Sequence, residues 1–235
     1  NIALKKAQDL GFAESNPAFD VMGFDALYKL IILTVHGFGT YIHPDDAFCS
    51  GIHNLSKYDI RYAQEQGKRI KLVATLRKLD SNNFTIFVLP TLVNSDDYIY
   101  NVEDEFNGVV IEGAYYDKQF MFGKGAGGFP TGSAVLSDIS ARFHNYRYEY
   151  KKLNFFTPPA YTTDVTLELF IRYHDMVDLS IFDIYELVER YNGPEHRWVI
   201  AKVKLSTLIK VKDLIPKLNL FIAFTGNLDF KSGNS

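Results

Sequence analysis

The chain has 235 residues, 47% hydrophobic and 23% charged, with a formal net charge of −3, a balance ordinary for a globular protein of one large or two modest domains. Its lysines and arginines are scattered among acids, which excludes the basic stripe of a nucleic-acid binder. The longest apolar run, Leu30-Ile31-Ile32-Leu33-Thr34-Val35, is far below the roughly 20 residues of a membrane helix, and the single cysteine, Cys49, allows neither a disulfide framework nor a thiolate metal set. A cytoplasmic protein that binds neither nucleic acid nor membrane is the expectation.

Ile2, Leu4, Ala7 and Leu10 recur at helical spacing and stop at Gly11, so the first element is a helix that is already under way at the second residue. An acidic loop follows, and Asp20 is placed to cap a second helix over about 21–35 with Val21, Phe24, Tyr28, Ile31 and Val35 on its apolar face. A third helix is predicted over Lys57 to Gln66, capped by Ser56 and stopped by Gly67. The period then changes to two. Arg69–Arg77, Phe84–Pro90, Gly108–Tyr116 and Gln119–Phe122 read as strands, and Ser81-Asn82-Asn83 and Asp117-Lys118 supply turns for two hairpins in a largely antiparallel sheet. A glycine-rich run at 123–128 leads to a helix over about 131–144.

Residues 145–163 read as a linker. Beyond it, Val165–Tyr173 is predicted as a strand, Leu179–Tyr191 as a helix, Arg197–Leu205 as a strand, Leu208–Leu218 as a helix and Phe221–Thr225 as a strand, a small βαβαβ module. The predicted class is α+β: a largely antiparallel or mixed sheet with helices on one face over 1–145, a ferredoxin-like module over 160–228, and a disordered tail at 229–235.

The chemistry concentrates in the segment Gly11 to Lys29. Asp25 and Lys29 are four apart and share a helix face; Asp20 lies at the helix start and Glu14 in the loop before it. A lysine flanked by carboxylates can hold a zwitterion and pass it a proton. On spacing alone, an Asp20 cap with an exposed Asp25–Lys29 pair is the commoner outcome. His36, His43 and His53 match no ligand spacing, so no metal is expected, and Cys49 has no basic neighbour in sequence to make a thiolate. Gly123-Lys124-Gly125-Ala126-Gly127-Gly128 matches GxGxxG, but the stretch after the helix, Arg147-Tyr148-Glu149-Tyr150-Lys151-Lys152, is too polar for the central strand of a dinucleotide fold.

The residue order of the acidic segment carries more than its spacing. Gly11-Phe12-Ala13-Glu14, then Pro17, Asp20-Val21, Gly23-Phe24-Asp25-Ala26 and Lys29-Leu30 closely resembles the substrate-site motif of homoserine dehydrogenases. Gly51-Ile52, Ile70-Lys71-Leu72-Val73, Gly125-Ala126-Gly127 with Pro130-Thr131, and Ser137-Asp138-Ile139 come in that family's order, so the resemblance covers about 3–143. Ser15-Asn16 departs from it, standing where the family usually has an acid.

The resemblance implies an oxidoreductase of threonine and methionine biosynthesis that interconverts L-aspartate 4-semialdehyde and L-homoserine with NADP or NAD. It implies that Lys29 is the acid/base or substrate-polarising lysine, and that Glu14, Asp20 and Asp25 bind the substrate, converging with Lys29. Gly127 becomes a cofactor contact, in competition with a plain turn before a helix. It further implies a nucleotide-binding domain preceding Asn1, without which 1–145 is a substrate-binding and dimerisation domain, inactive alone and with no cofactor bound. A homodimer is expected. The C-terminal module weakly resembles an ACT domain, although its loop His174-Asp175-Met176-Val177-Asp178-Leu179 lacks the expected glycine and the order is one strand short. The alternative is a non-catalytic regulatory or dimerisation module of an amino-acid biosynthesis protein.

Overall fold

The computed structural model describes residues 2–9, 11, 16–149 and 157–231. The chain divides into two compact units, Asn1–Pro17 with Asn94–Glu149 and Ala18–Val93 with Tyr150–Ser235. This division cuts through the expected 1–145 segment after Pro17 and after Val93.

The larger unit is built on one mixed sheet. Strand β1 (Phe48–Cys49) pairs parallel with β3 (Asn83–Val93), and β2 (Arg69–Lys78) pairs antiparallel with β3 as the expected hairpin, from Arg69↔Val93 to Lys78↔Phe84. Its turn is locked by the Asp80 carboxylate, which accepts the backbone N–H groups of Asn82 and Asn83, each at 2.7 Å. The side chain of Asn83 donates to the same carboxylate and holds its pKa below the usual range.

Strand β3 is largely apolar and buried over most of its length because both of its faces are covered. Phe84, Ile86 and Val88 join the core beneath α3 (Phe24–Phe38), where Leu27, Leu30 and Ile31 are buried. Phe87 and Leu89 join the core of the C-terminal segment. The helix α4 (Lys57–Glu65) starts as expected at Ser56, with a capping box closed by Asp59, and Gly67 at φ 67° turns the chain out of it.

The C-terminal segment differs from expectation in two ways. Residues 184–191, expected inside a helix over 179–191, belong to a strand. The order is β7 (Thr166–Tyr173), α6 (Met176–Leu179), β8 (Ile184–Asn192), β9 (Arg197–Lys204), α7 (Leu205–Val211) and β10 (Phe221–Asp229). These strands lie antiparallel in the order β10-β7-β9-β8. That is the β-α-β-β-α-β pattern of ferredoxin-like folds, so the missing strand is present. The reason for the misreading is local: register shifts after Ile184 and after Leu187 insert extra residues against β9. Ile184 and Leu187 are therefore paired with Val203 and Ala201, three residues against two, a spacing that imitates a helix, although Ile184 packs on the core and Leu187 is exposed.

The segment also has no sheet of its own. β10 pairs parallel with β3 through Phe224↔Thr91, and β6 (Ala160–Tyr161), in the expected linker, pairs with the start of β3. The parallel joints to β1, β6 and β10 make the sheet mixed. Asp229, expected in a disordered tail, ends β10, and 232–235 lie outside the described residues.

The smaller unit contains α1 (Ile2–Asp9), the hairpin β4 (Phe106–Gly113) and β5 (Asp117–Lys124), and α5 (Gly128–Phe143). The hairpin matches the expected pair but forms a two-stranded sheet by itself.

Candidate functional site

The acidic segment is shaped by two glycines. The single helix expected from about residue 21, capped by Asp20, is two helices. Asp20 lies inside the short α2 (Ala18–Val21), exposed, and α3 begins only at Phe24. Between them Gly23 has φ 86°, a left-handed conformation that costs residues with a Cβ about 1–2 kcal/mol. Gly23 is buried, and a Cβ there would stand 3.2 Å from Cys49 Sγ and 3.4 Å from Val88 Cγ1.

Gly51 fixes the same turn from outside, because any Cβ on it would collide with the Val21 carbonyl oxygen. That close approach lets the Ile52 N–H donate to the Val21 carbonyl at 2.8 Å, while the Cys49 thiol reaches the Met22 carbonyl at 3.4 Å. Burial pushes the thiol pKa up to about 12, so Cys49 stays protonated packing beside the turn.

The turn sets the heading of α3. Leu27, Leu30, Ile31 and Thr34 point into the core, which leaves Asp25 and Lys29 on the outer face. Lys29 Nζ donates to Asp25 Oδ2 at 2.7 Å, with both side chains about half exposed, 59% and 48%. The pair lies among exposed rings: Phe19 stacks on Tyr28 at 6.0 Å and meets Phe24 edge-on at 6.1 Å. Phe19, Phe24 and Tyr28 thus leave exposed aromatic surface in the same segment as the ion pair. The lysine can give a proton or hold an anion there, and the carboxylates can hold an ammonium.

Of the four residues expected to converge, the structure brings together Asp25 and Lys29. Asp20 makes no hydrogen bond or ion pair with them among the described residues, and Glu14 lies outside those residues. Gly23 is the element that spacing missed; its signal was a glycine inside an otherwise continuous apolar repeat.

In the smaller unit, Gly127 precedes the first residue of α5 with φ 115°, a conformation open to glycine, and its carbonyl accepts the Thr131 N–H at 3.1 Å. The run before it is pinned to β4: the Gly125 N–H donates to the Glu105 carbonyl at 2.8 Å, and a Cβ on Gly125 would strike the Asn107 side chain.

Comparison with known proteins places this segment. The family model for homoserine dehydrogenase matches residues 1–140. The chain belongs to the homoserine dehydrogenase family. The Bacillus subtilis homoserine dehydrogenase is 34% identical over 97% of this chain and 52% of its own length, and that of Pseudomonas aeruginosa is 41% identical over 58% of this chain and 31% of its own. The crystal structure of a homoserine dehydrogenase from Thiobacillus denitrificans is 30% identical and superposes with a TM-score of 0.66, covering 97% of this chain and 57% of that one. That of Staphylococcus aureus at pH 7.5 is 27% identical, with a TM-score of 0.61, and covers 100% of this chain and 58% of that one. The chain thus spans between 31% and 58% of the length of these homoserine dehydrogenases. The matched segment contains Glu14, Asp20, Asp25, Lys29 and Gly127.

Among the described residues no three His, Cys, Asp or Glu side chains gather into a metal set. His43 accepts the Asp45 N–H at 3.3 Å, in a local turn. Both ring nitrogens of His53 are buried without a partner, and burial lowers its pKa, which keeps the ring neutral.

Proposed function

We propose that this chain is the substrate-binding portion of an NAD(P)-dependent homoserine dehydrogenase. The reaction interconverts L-aspartate 4-semialdehyde and L-homoserine, serving threonine and methionine biosynthesis in the cytoplasm. The observation that carries this reading is the Asp25–Lys29 pair on the outer face of α3, in the segment matched by the family.

The Lys29 ammonium points at the substrate carbonyl oxygen, stabilises the negative charge that grows there and gives it a proton. In the reverse direction the amine takes the hydroxyl proton. Asp25 holds Lys29, and Asp20 and Glu14 bind the substrate ammonium. The aromatic rim of Phe19, Phe24 and Tyr28 excludes water as the substrate seats. The hydride chemistry would be supplied by a nicotinamide when one is bound. The chain's own fit to that cofactor rests on Gly127: a residue without a side chain at φ 115°, opening a helix, leaves backbone N–H groups approachable.

Residues 1–145 act as the substrate and dimerisation segment of a homodimer, and 160–228 as an ACT-like module in keeping with its ferredoxin-like strand order. The chain alone is inactive and holds no cofactor. Homoserine-dependent formation of reduced nicotinamide by the isolated chain, absent from a Lys29→Ala control, would refute the inactivity.

In the full-length enzyme, Lys29→Ala is expected to lower kcat by about 10²–10⁴-fold. Unchanged turnover would instead support the second reading, a regulatory or dimerisation module. That reading is favoured by one observation, the half exposure of the Asp25–Lys29 pair.

A further inference from the structure

A second concave site lies in the larger unit, between α4 and the turn that joins β8 to β9, and it owes nothing to the dehydrogenase reading. It is a cleft of about 290 Å³, walled by rings. Tyr58 stacks on His196 at 4.6 Å, Tyr191 stacks on Trp198 at 5.7 Å, and Tyr62 leans on Trp198 at 4.8 Å. The rings are held from behind. Tyr62 stacks on the buried Phe170 at 4.3 Å, and the Gly193 N–H donates to the His196 carbonyl to close the turn.

The polar groups at the cleft are unspent. The hydroxyls of Tyr58, Tyr62 and Tyr191 make no hydrogen bond among the described residues, and Nδ1 of His196 is buried without a partner. At the mouth, Arg61 is taken by Glu65 at 2.9 Å, whereas Glu195 has no ion-pair partner among the described residues. Glu189 and Glu168 add to burial in pushing the Tyr62 hydroxyl up to about 12, and the Tyr58 ring already carries an ammonium, Lys57 Nζ at 4.9 Å. Aromatic walls with an uncompensated carboxylate at the rim are the surroundings an alkyl-ammonium or guanidinium group prefers. An anion would meet Glu195, and a neutral apolar molecule would leave it unused.

We propose that the cleft between α4 and the β8–β9 turn binds a small organic cation, with its charge at Glu195 and its stem against Tyr58, Tyr191 and Trp198. The protein contains one tryptophan, so Trp198 reports on this site alone. Titration of the chain with n-butylammonium, butyrate and n-butanol at constant ionic strength, followed by tryptophan fluorescence, tests it. The expected result is a saturable change with butylammonium only, weakened at least threefold by Glu195→Gln and by Tyr191→Ala, with the circular dichroism of both variants unchanged. Equal responses to all three probes, no saturable response, or full affinity in Glu195→Gln would each overturn the proposal. Should Tyr191→Ala fail to fold, Glu195→Gln, at an exposed turn position, decides alone.

Discussion

Gly51 has no side chain, and its buried surroundings leave no room for one. Its missing Cβ is the space occupied by the Val21 carbonyl. Gly51→Ala is expected to destabilise the larger unit by about 1–3 kcal/mol, as overpacking does, visible as a lower urea midpoint at constant m. Lys29→Ala should do the opposite of what its functional weight implies. A half-exposed i,i+4 pair is worth about 0.3–0.5 kcal/mol, so the urea midpoint should barely move.

Asp80 gives a pH signature at the same scale. Its folded pKa is lowered, chiefly by the Asn83 side chain, so its contribution is complete above the unfolded value and is lost as pH falls through the depressed folded one. The Asn82 and Asn83 amides are therefore expected to keep their hydrogen-exchange protection at neutral pH and lose it in strong acid. Protection that rises with acid would contradict this. The sequence made the Asp25–Lys29 pair readable, since four-residue spacing on a helix dictates it. It did not make Gly51 readable, because the carbonyl it accommodates comes from a distant turn.

Among the elements, α4 is held by an unusual anchor. The Asp59 carboxylate accepts Arg172 Nε from β7 at 2.8 Å and Ser56 N and Oγ at 2.8 and 2.7 Å, while Arg172 Nη2 donates to the Asn54 carbonyl. Asp59 and Arg172 are both buried. Breaking one side leaves a charge uncompensated, so Asp59→Ala should cost about 3–5 kcal/mol, whereas Asp59→Leu with Arg172→Met should recover most of it; thermal unfolding of the three variants separates these outcomes. The cap was legible, as Ser56 precedes a helical repeat and Gly67 ends it. The partner across the sheet was not, because nothing local to Asp59 points to residue 172. β8 failed for a different reason: its register shifts disguise a strand's period as that of a helix.

For the molecule as a whole, one core draws on distant parts of the chain. Phe48, Phe87 and Leu89 are buried together with Val165, Leu169, Val203 and Phe224. A chain truncated after Glu149 is expected to lack a cooperative thermal transition, having lost most of that core. A sharp transition with native-like circular dichroism would show that the earlier residues suffice. The hairpins β2–β3 and β4–β5 could be read from their turns, and α4 from its period. The union of the two halves could not, since a parallel joint such as Phe224↔Thr91 leaves no mark in the residues between.

That joint also orders events at the ribosome. β3 is translated well before β10, the strand that covers its flank. Until Phe221–Asp229 has emerged, β3 must wait half-dressed, with Phe87 and Leu89 short of their final neighbours. The sheet therefore closes only after β10 has been made, through a contact of high sequence separation and slow closure. A nascent chain in that interval is a natural client for chaperones that grip exposed apolar strands.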